Sequence, residues 1–145
     1  MYKNILIATD GSELAHKAVV QGFAIAKALG SKVTVVTVTE PWTSVVPGEM
    51  GVAFPIEDYE KGAAENADSI LDIVKREAGA SGVACETVHV ADQFPADGII
   101  SAATDKGCDL IVMASHGRRG ISRLLLGSQA NQVVVHSTVP VLVVR

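Results

Sequence analysis

What most constrains this chain is the alternation of short, β-branched apolar runs with stripes of small and aliphatic residues spaced three or four apart. Asn4 to Thr9 and Lys32 to Val38 are runs of strand length. The second carries Val33, Val35, Val36 and Val38 with little alternation, as strands covered on both faces do. Between them Ala15, Ala18, Val19, Gly22, Phe23, Ala26 and Leu29 form a helical stripe, with Ser12 as its N-cap and Gly30 just past its end. A second stripe, Ala63, Ala67, Ile70, Leu71, Val74 and Ala78, predicts a helix ending at Gly79, followed by a strand over Ala84 to Val90. Pro95 suits a first helical turn, and Ile99, Ile100 and Ala103 continue that helix towards Gly107. Asp109 to Ala114 reads as a fourth strand. Ser128 to His136 reads as a helix with Ala130, Val133 and Val134 inward, and Val139 to Val144 as a fifth strand.

Five strands alternating with four helices specify an α/β fold, a doubly wound parallel sheet with a helical layer on each face, because each right-handed crossover must cover one face. With the order 3-2-1-4-5 the winding reverses between strands one and four, and a ligand crevice is expected at their carboxyl ends. The loops that meet there are Thr9-Asp10-Gly11-Ser12 and Ser115 to Gly120, both polar and glycine-containing. At 145 residues the chain suits one domain, 1–145, and 48% hydrophobic against 19% charged residues exclude a disordered chain. The net charge of -4, with no basic cluster, argues against nucleic acid as a partner. No run of eighteen apolar residues exists to cross a membrane, and the first apolar run stops at Thr9-Asp10, too short for a secretory segment. Two cysteines, Cys85 and Cys108, make neither a disulfide framework nor a zinc site, so a reducing cytoplasm is expected. The segment from Thr39 to Pro55, with three prolines and two glycines, reads as a long surface loop anchored by Trp42 and Tyr59.

The chemistry concentrates after the fourth strand, in Met113-Ala114-Ser115-His116-Gly117-Arg118-Arg119-Gly120 and, beyond Ile121 to Leu126, in Gly127-Ser128-Gln129 at a helix start. Glycine lets backbone N–H groups approach a ligand, and a helix N-terminus adds free donors and partial positive charge, so phosphate is the natural guest. Neither the P-loop nor the dinucleotide fingerprint is present. Plainer roles exist for the same residues: an Asx-turn for Asp10, turn formation for the glycines, an N-cap for Ser128, and solvated charge for Arg118 and Arg119. His116 has no paired carboxylate or nucleophile nearby in sequence that would make it an acid-base catalyst, and reads as lining.

Ala114-x-x-Gly117, nine residues, then Gly127-Ser128 resembles the G-x-x-G, nine, G-[ST] nucleotide signature of the universal stress protein family. The opening Ile5 to Ser12, Val38, the Leu124 to Ser128 segment and the closing Val139 to Val144 resemble that family too, so the likeness spans nearly the whole chain. It implies ATP or AMP, alone or with Mg²⁺, in the crevice between strands one and four. By position, Asp10 would contact ribose or adenine, Val38 would offer backbone groups to the base edge, and Gly117, Arg118, Gly127, Ser128 and Gln129 would surround the phosphates, with Ala8, Thr9, Met113, Ala114, His116, Arg119 and Gly120 as further residues of the same site. Ala114 stands where the signature has its first glycine, and its methyl would crowd the ligand if the backbone there required positive φ. The resemblance also implies a homodimer through the last strand, Val139, Val141, Leu142, Val143 and Val144, in a regulatory or stress-sensing role. A slow ATPase or phosphotransferase and a nucleotide-independent interaction module are the alternatives.

Overall fold

The computed structural model describes residues 1–46, 48, 54–117 and 126–145. Five strands, β1 (Asn4–Ala8), β2 (Lys32–Val38), β3 (Cys85–Val90), β4 (Leu110–Ala114) and β5 (Val141–Val144), form one sheet in the order β3-β2-β1-β4-β5, every neighbouring pair parallel. The helices are α1 (Glu13–Leu29), α2 (Trp42–Val45), α3 (Ile56–Ser81), α4 (Pro95–Asp105) and α5 (Ser128–His136).

Residues that alternate along each strand separate two cores. Ile5, Ile7, Val33, Val35 and Val112 pack with Val19 and Phe23 of α1 and Leu71 and Val74 of α3. Leu6, Val36, Ile111 and Met113 pack on the opposite face with Ile99 and Ala102 of α4 and Ala130 and Val133 of α5. Burying a side chain such as Ile5 or Leu6 contributes about 1.5–3 kcal/mol, which is why the central strands β1 and β4 are the least tolerant part of the molecule. Three layers result, as the alternation predicts.

Helix α1 has the predicted bounds: the Ser12 hydroxyl accepts from the Ala15 N–H at 3.2 Å, and Gly30 lies in the left-handed region at φ 67°. Helix α3 is longer than its apolar stripe at both ends. It begins at Ile56, and Gly82, not Gly79, takes the left-handed C-terminal position at φ 71°. A further one-turn helix, α2, joins the four that were predicted. β5 starts at Val141 rather than Val139, because Pro140 has no N–H for the ladder. Val134, predicted to face inward, is 45% exposed, and Leu29, at the end of the α1 stripe, is also exposed.

Within the loop after β2, Trp42 Nε1 donates to the Phe54 carbonyl at 3.0 Å and the Tyr59 hydroxyl donates to the Glu40 carbonyl at 2.7 Å. The Phe54 and Tyr59 rings meet edge to face. Trp42 and Tyr59 therefore act as the anchors expected of them. Cys85 and Cys108 are free thiols, and burial pushes both above the ordinary thiol range.

Candidate functional site

The loops after β1 and β4 meet at the carboxyl edge of the sheet. Thr9 leaves β1 still tied to β2, its N–H donating to the Val36 carbonyl at 3.0 Å. Asp10 closes an Asx-turn, its Oδ1 accepting from the Ser12 N–H at 2.9 Å, and the Thr9 hydroxyl accepts from the Gly11 N–H at 3.2 Å. This fixes the Asp10 carboxylate against the first turn of α1. Across the crevice, Ser115 leaves β4 with its N–H donating to the Val144 carbonyl at 2.8 Å, while its own carbonyl accepts from the Gly127 N–H at 2.9 Å. That bond returns the chain to the rim at the start of α5.

Two close approaches show why glycine stands at these places. A Cβ on Gly117 would lie 2.9 Å from Asp10 Oδ2, and one on Gly127 would lie 2.7 Å from the Ser115 carbonyl oxygen. Gly117 thus lets the two loops touch, and Gly127 lets α5 begin directly over β4. Gly127 is the N-cap of α5 and supplies no side-chain bond, so Ser128 is its first helical residue rather than the predicted cap. The first-turn N–H groups of α5 therefore face the crevice without a side-chain cap.

Between these loops lies a cavity of about 880 Å³, within the size range of small-molecule sites. Ala8, Thr9, Asp10, Val38, Ala114, His116, Gly117, Gly127, Ser128 and Gln129 all line it. Met113 does not: it precedes Ala114 in a strand, so its side chain points to the opposite face and is buried against α4 and α5. Arg118, Arg119 and Gly120 lie outside the described residues. Ala114 is in register with Val144 within β4, and Asp92 is the one non-glycine with positive φ among the described residues. Alanine therefore meets no backbone strain at the first signature position.

Two side chains do work the sequence did not reveal. Gln129 Oε1 accepts from the Ala96 N–H at 3.1 Å, so the start of α5 caps α4, whose own N-cap residue, Phe94, makes no side-chain bond. His116 Nδ1 lies 3.1 Å from the hydroxyl of neighbouring Ser115, which is itself buried in the cavity wall. The far wall was not predicted at all: Thr39 and Glu40 after β2, and Asp58, Tyr59, Asn66 and Ile70 of α3. The paired glycines and the bare first turn of α5 provide a backbone cradle, Asp10 an acceptor beside it, and α3 with the loop after β2 an amphipathic wall.

The model of the universal stress protein family matches residues 1–145. The chain belongs to that family. Its similarity to a universal stress protein of Thermus aquaticus is 38% identity over 146 residues, covering all of both chains. Among solved universal stress protein structures, that of protein MJ0577, from Methanocaldococcus jannaschii, superposes with a TM-score of 0.84 at 30% identity, over 99% of this chain and 96% of that one. A universal stress protein solved in complex with cAMP superposes with a TM-score of 0.70 at 26% identity, over 99% and 97% of the two chains. The five-stranded parallel sheet in the order β3-β2-β1-β4-β5 is the fold of those universal stress protein structures.

Proposed function

We propose that this protein binds an adenine nucleotide, ATP or AMP, alone or with Mg²⁺, in the cavity between β1 and β4, and acts as a cytoplasmic regulatory homodimer rather than through turnover. The observation that carries the reading is that the Asp10 carboxylate stands so close to Gly117 that a Cβ there would lie 2.9 Å from Asp10 Oδ2, which sets a candidate ribose acceptor beside a candidate phosphate cradle. Carboxylate oxygens accept from ribose hydroxyls, and the first turn of α5, from Ser128 and Gln129, has backbone N–H groups suited to phosphate oxygens. A relative crystallised with cAMP supports an adenine nucleotide as the ligand class. Free thiols at Cys85 and Cys108 suit a reducing compartment.

Isothermal titration of nucleotide-free protein tests this. ATP or AMP should give saturable heat, and at a hundredfold excess over Kd the ligand should stabilise the fold by about 2.7 kcal/mol, seen as a rise in melting temperature. No heat and no thermal shift with either nucleotide would refute the reading. Mass spectrometry of what the freshly purified, denatured protein releases guards against a retained ligand masking the result.

A further inference from the structure

At the end of the cavity away from α5, Thr39 lies in the wall one residue beyond Val38, and its hydroxyl oxygen is 2.7 Å from Nε2 of His89. The pair is built into the sheet edge. His89 belongs to β3 and is in register with Thr37, while the Thr39 N–H donates to the Val90 carbonyl at 2.8 Å and the Thr39 carbonyl accepts from the Gln93 N–H at 3.3 Å. These bonds occupy the Thr39 N–H and fix the residue in place, leaving its hydroxyl as the side-chain group at that wall.

The order of strands decides which part of a nucleotide arrives there. α5 begins over β4, Asp10 follows β1 and Thr39 follows β2, and these three strands are consecutive neighbours in the sheet. Adjacent strands lie about 4.8 Å apart, so the span from β4 to β2 is roughly 10 Å. With phosphate at α5 and ribose at Asp10, the base falls against the end of β2. This step rests on the nucleotide reading above.

A threonine hydroxyl has one proton to donate and two lone pairs. When that proton is given to His89 Nε2, the oxygen offers the cavity lone pairs and no proton. We propose that His89 carries its proton on Nδ1, so that Nε2 takes the Thr39 proton, that Thr39 is thereby held as an acceptor and selects the base, and that the site prefers 6-amino to 6-oxo purine nucleotides. The exocyclic amine of adenine donates to the Thr39 oxygen, whereas a 6-oxo group would set acceptor against acceptor. His89 acts through Thr39 and is a positioning residue.

The test compares AMP with inosine monophosphate by titration calorimetry. Wild-type protein should prefer AMP, and Thr39→Val, which keeps the shape and removes the hydroxyl, should lower the AMP-to-inosine-monophosphate affinity ratio about tenfold. His89→Phe releases the Thr39 proton and should lower the same ratio, mainly by improving inosine monophosphate binding. His89→Gln, whose amide oxygen can accept that proton, should restore it, and Thr39→Val added to His89→Phe should lower it no further. A Thr39→Val protein whose ratio stays within twofold of wild type, or a wild type with no preference, would overturn base selection while leaving nucleotide binding standing. A wild type that binds neither nucleotide would overturn both. His89→Phe measures the ratio independently should Thr39→Val prove unstable.

Discussion

At the scale of single residues, this site depends on atoms that are missing as much as on atoms that are present. Gly127 has φ -59° and ψ 152°, angles any residue can adopt, so its requirement is spatial and not conformational. A methyl there would sit 2.7 Å from the Ser115 carbonyl oxygen, a backbone atom that cannot rotate away, and would disturb the 2.9 Å bond that oxygen accepts from the Gly127 N–H. Gly127→Ala should therefore cost about 1–3 kcal/mol, the usual range for overpacking, and lower the melting temperature by several degrees. Nucleotide affinity should fall with it, because the shift moves the first turn of α5 off the rim. A melting temperature equal to wild type would show that the contact relaxes freely. Gly117 faces a different neighbour: its closest atom is the end of the Asp10 carboxylate, so alanine there should disturb the ligand site more than the fold. The sequence disclosed these glycines through their spacing. It also counted Met113 among the site residues, although strand alternation sends neighbouring side chains to opposite faces and Met113 belongs to the α4 and α5 core.

At the scale of elements, apolar periodicity located every strand and every helix of more than one turn, and it failed where the pattern carries no apolar signal. The first turns of α3 are rich in charge, with Glu57, Asp58, Glu60 and Lys61 exposed, so its stripe starts only at Ala63. Those turns overhang the cavity and supply Asp58 and Tyr59 to its wall, which is why half the site escaped the sequence. The start of α1, by contrast, was legible, because a capping serine ahead of an apolar stripe has a direct physical meaning. Its energetic weight is measurable. The Ser12 hydroxyl accepts from the Ala15 N–H, and Ser12→Ala removes that acceptor and should cost about 1 kcal/mol, or roughly 3 °C in melting temperature. Ser12→Asp keeps an acceptor and places negative charge at the positive end of the helix, so it should melt close to wild type. Equal melting of Ser12→Ala and wild type would show the cap to be dispensable. Since Ser12 also donates its N–H to Asp10, the cap and the ribose acceptor are set by one turn, and the rigidity of α1 passes directly to the site.

At the scale of the whole molecule, the two edges of the sheet are not equivalent. β3 is flanked by α3 and carries Glu86 and His89, polar residues that blunt an edge, whereas β5 reads Val141-Leu142-Val143-Val144 and has no charge. Leu142 is 38% exposed at that edge, and Val134 and Val135 on the neighbouring α5 are 45% and 65% exposed. An apolar strand that has one side unpaired among the described residues is the surface on which a homodimer would pair, strand to strand or face to face, about a twofold axis. The distance of β5 from the ligand is short: the Val144 carbonyl accepts from the Ser115 N–H, and Ser115 in turn receives the Gly127 N–H. Two hydrogen bonds thus link the proposed interface to the start of α5. Leu142→Lys would place an unpaired ammonium in the buried centre of such an interface and should weaken the dimer about 100-fold. Size-exclusion chromatography with light scattering should then return twice the chain mass for wild type and the single-chain mass for the variant, with the melting curve of the monomer otherwise intact. If wild type elutes as a monomer at every concentration, β5 is not an interface, and any signal from the nucleotide site must leave the molecule by another surface.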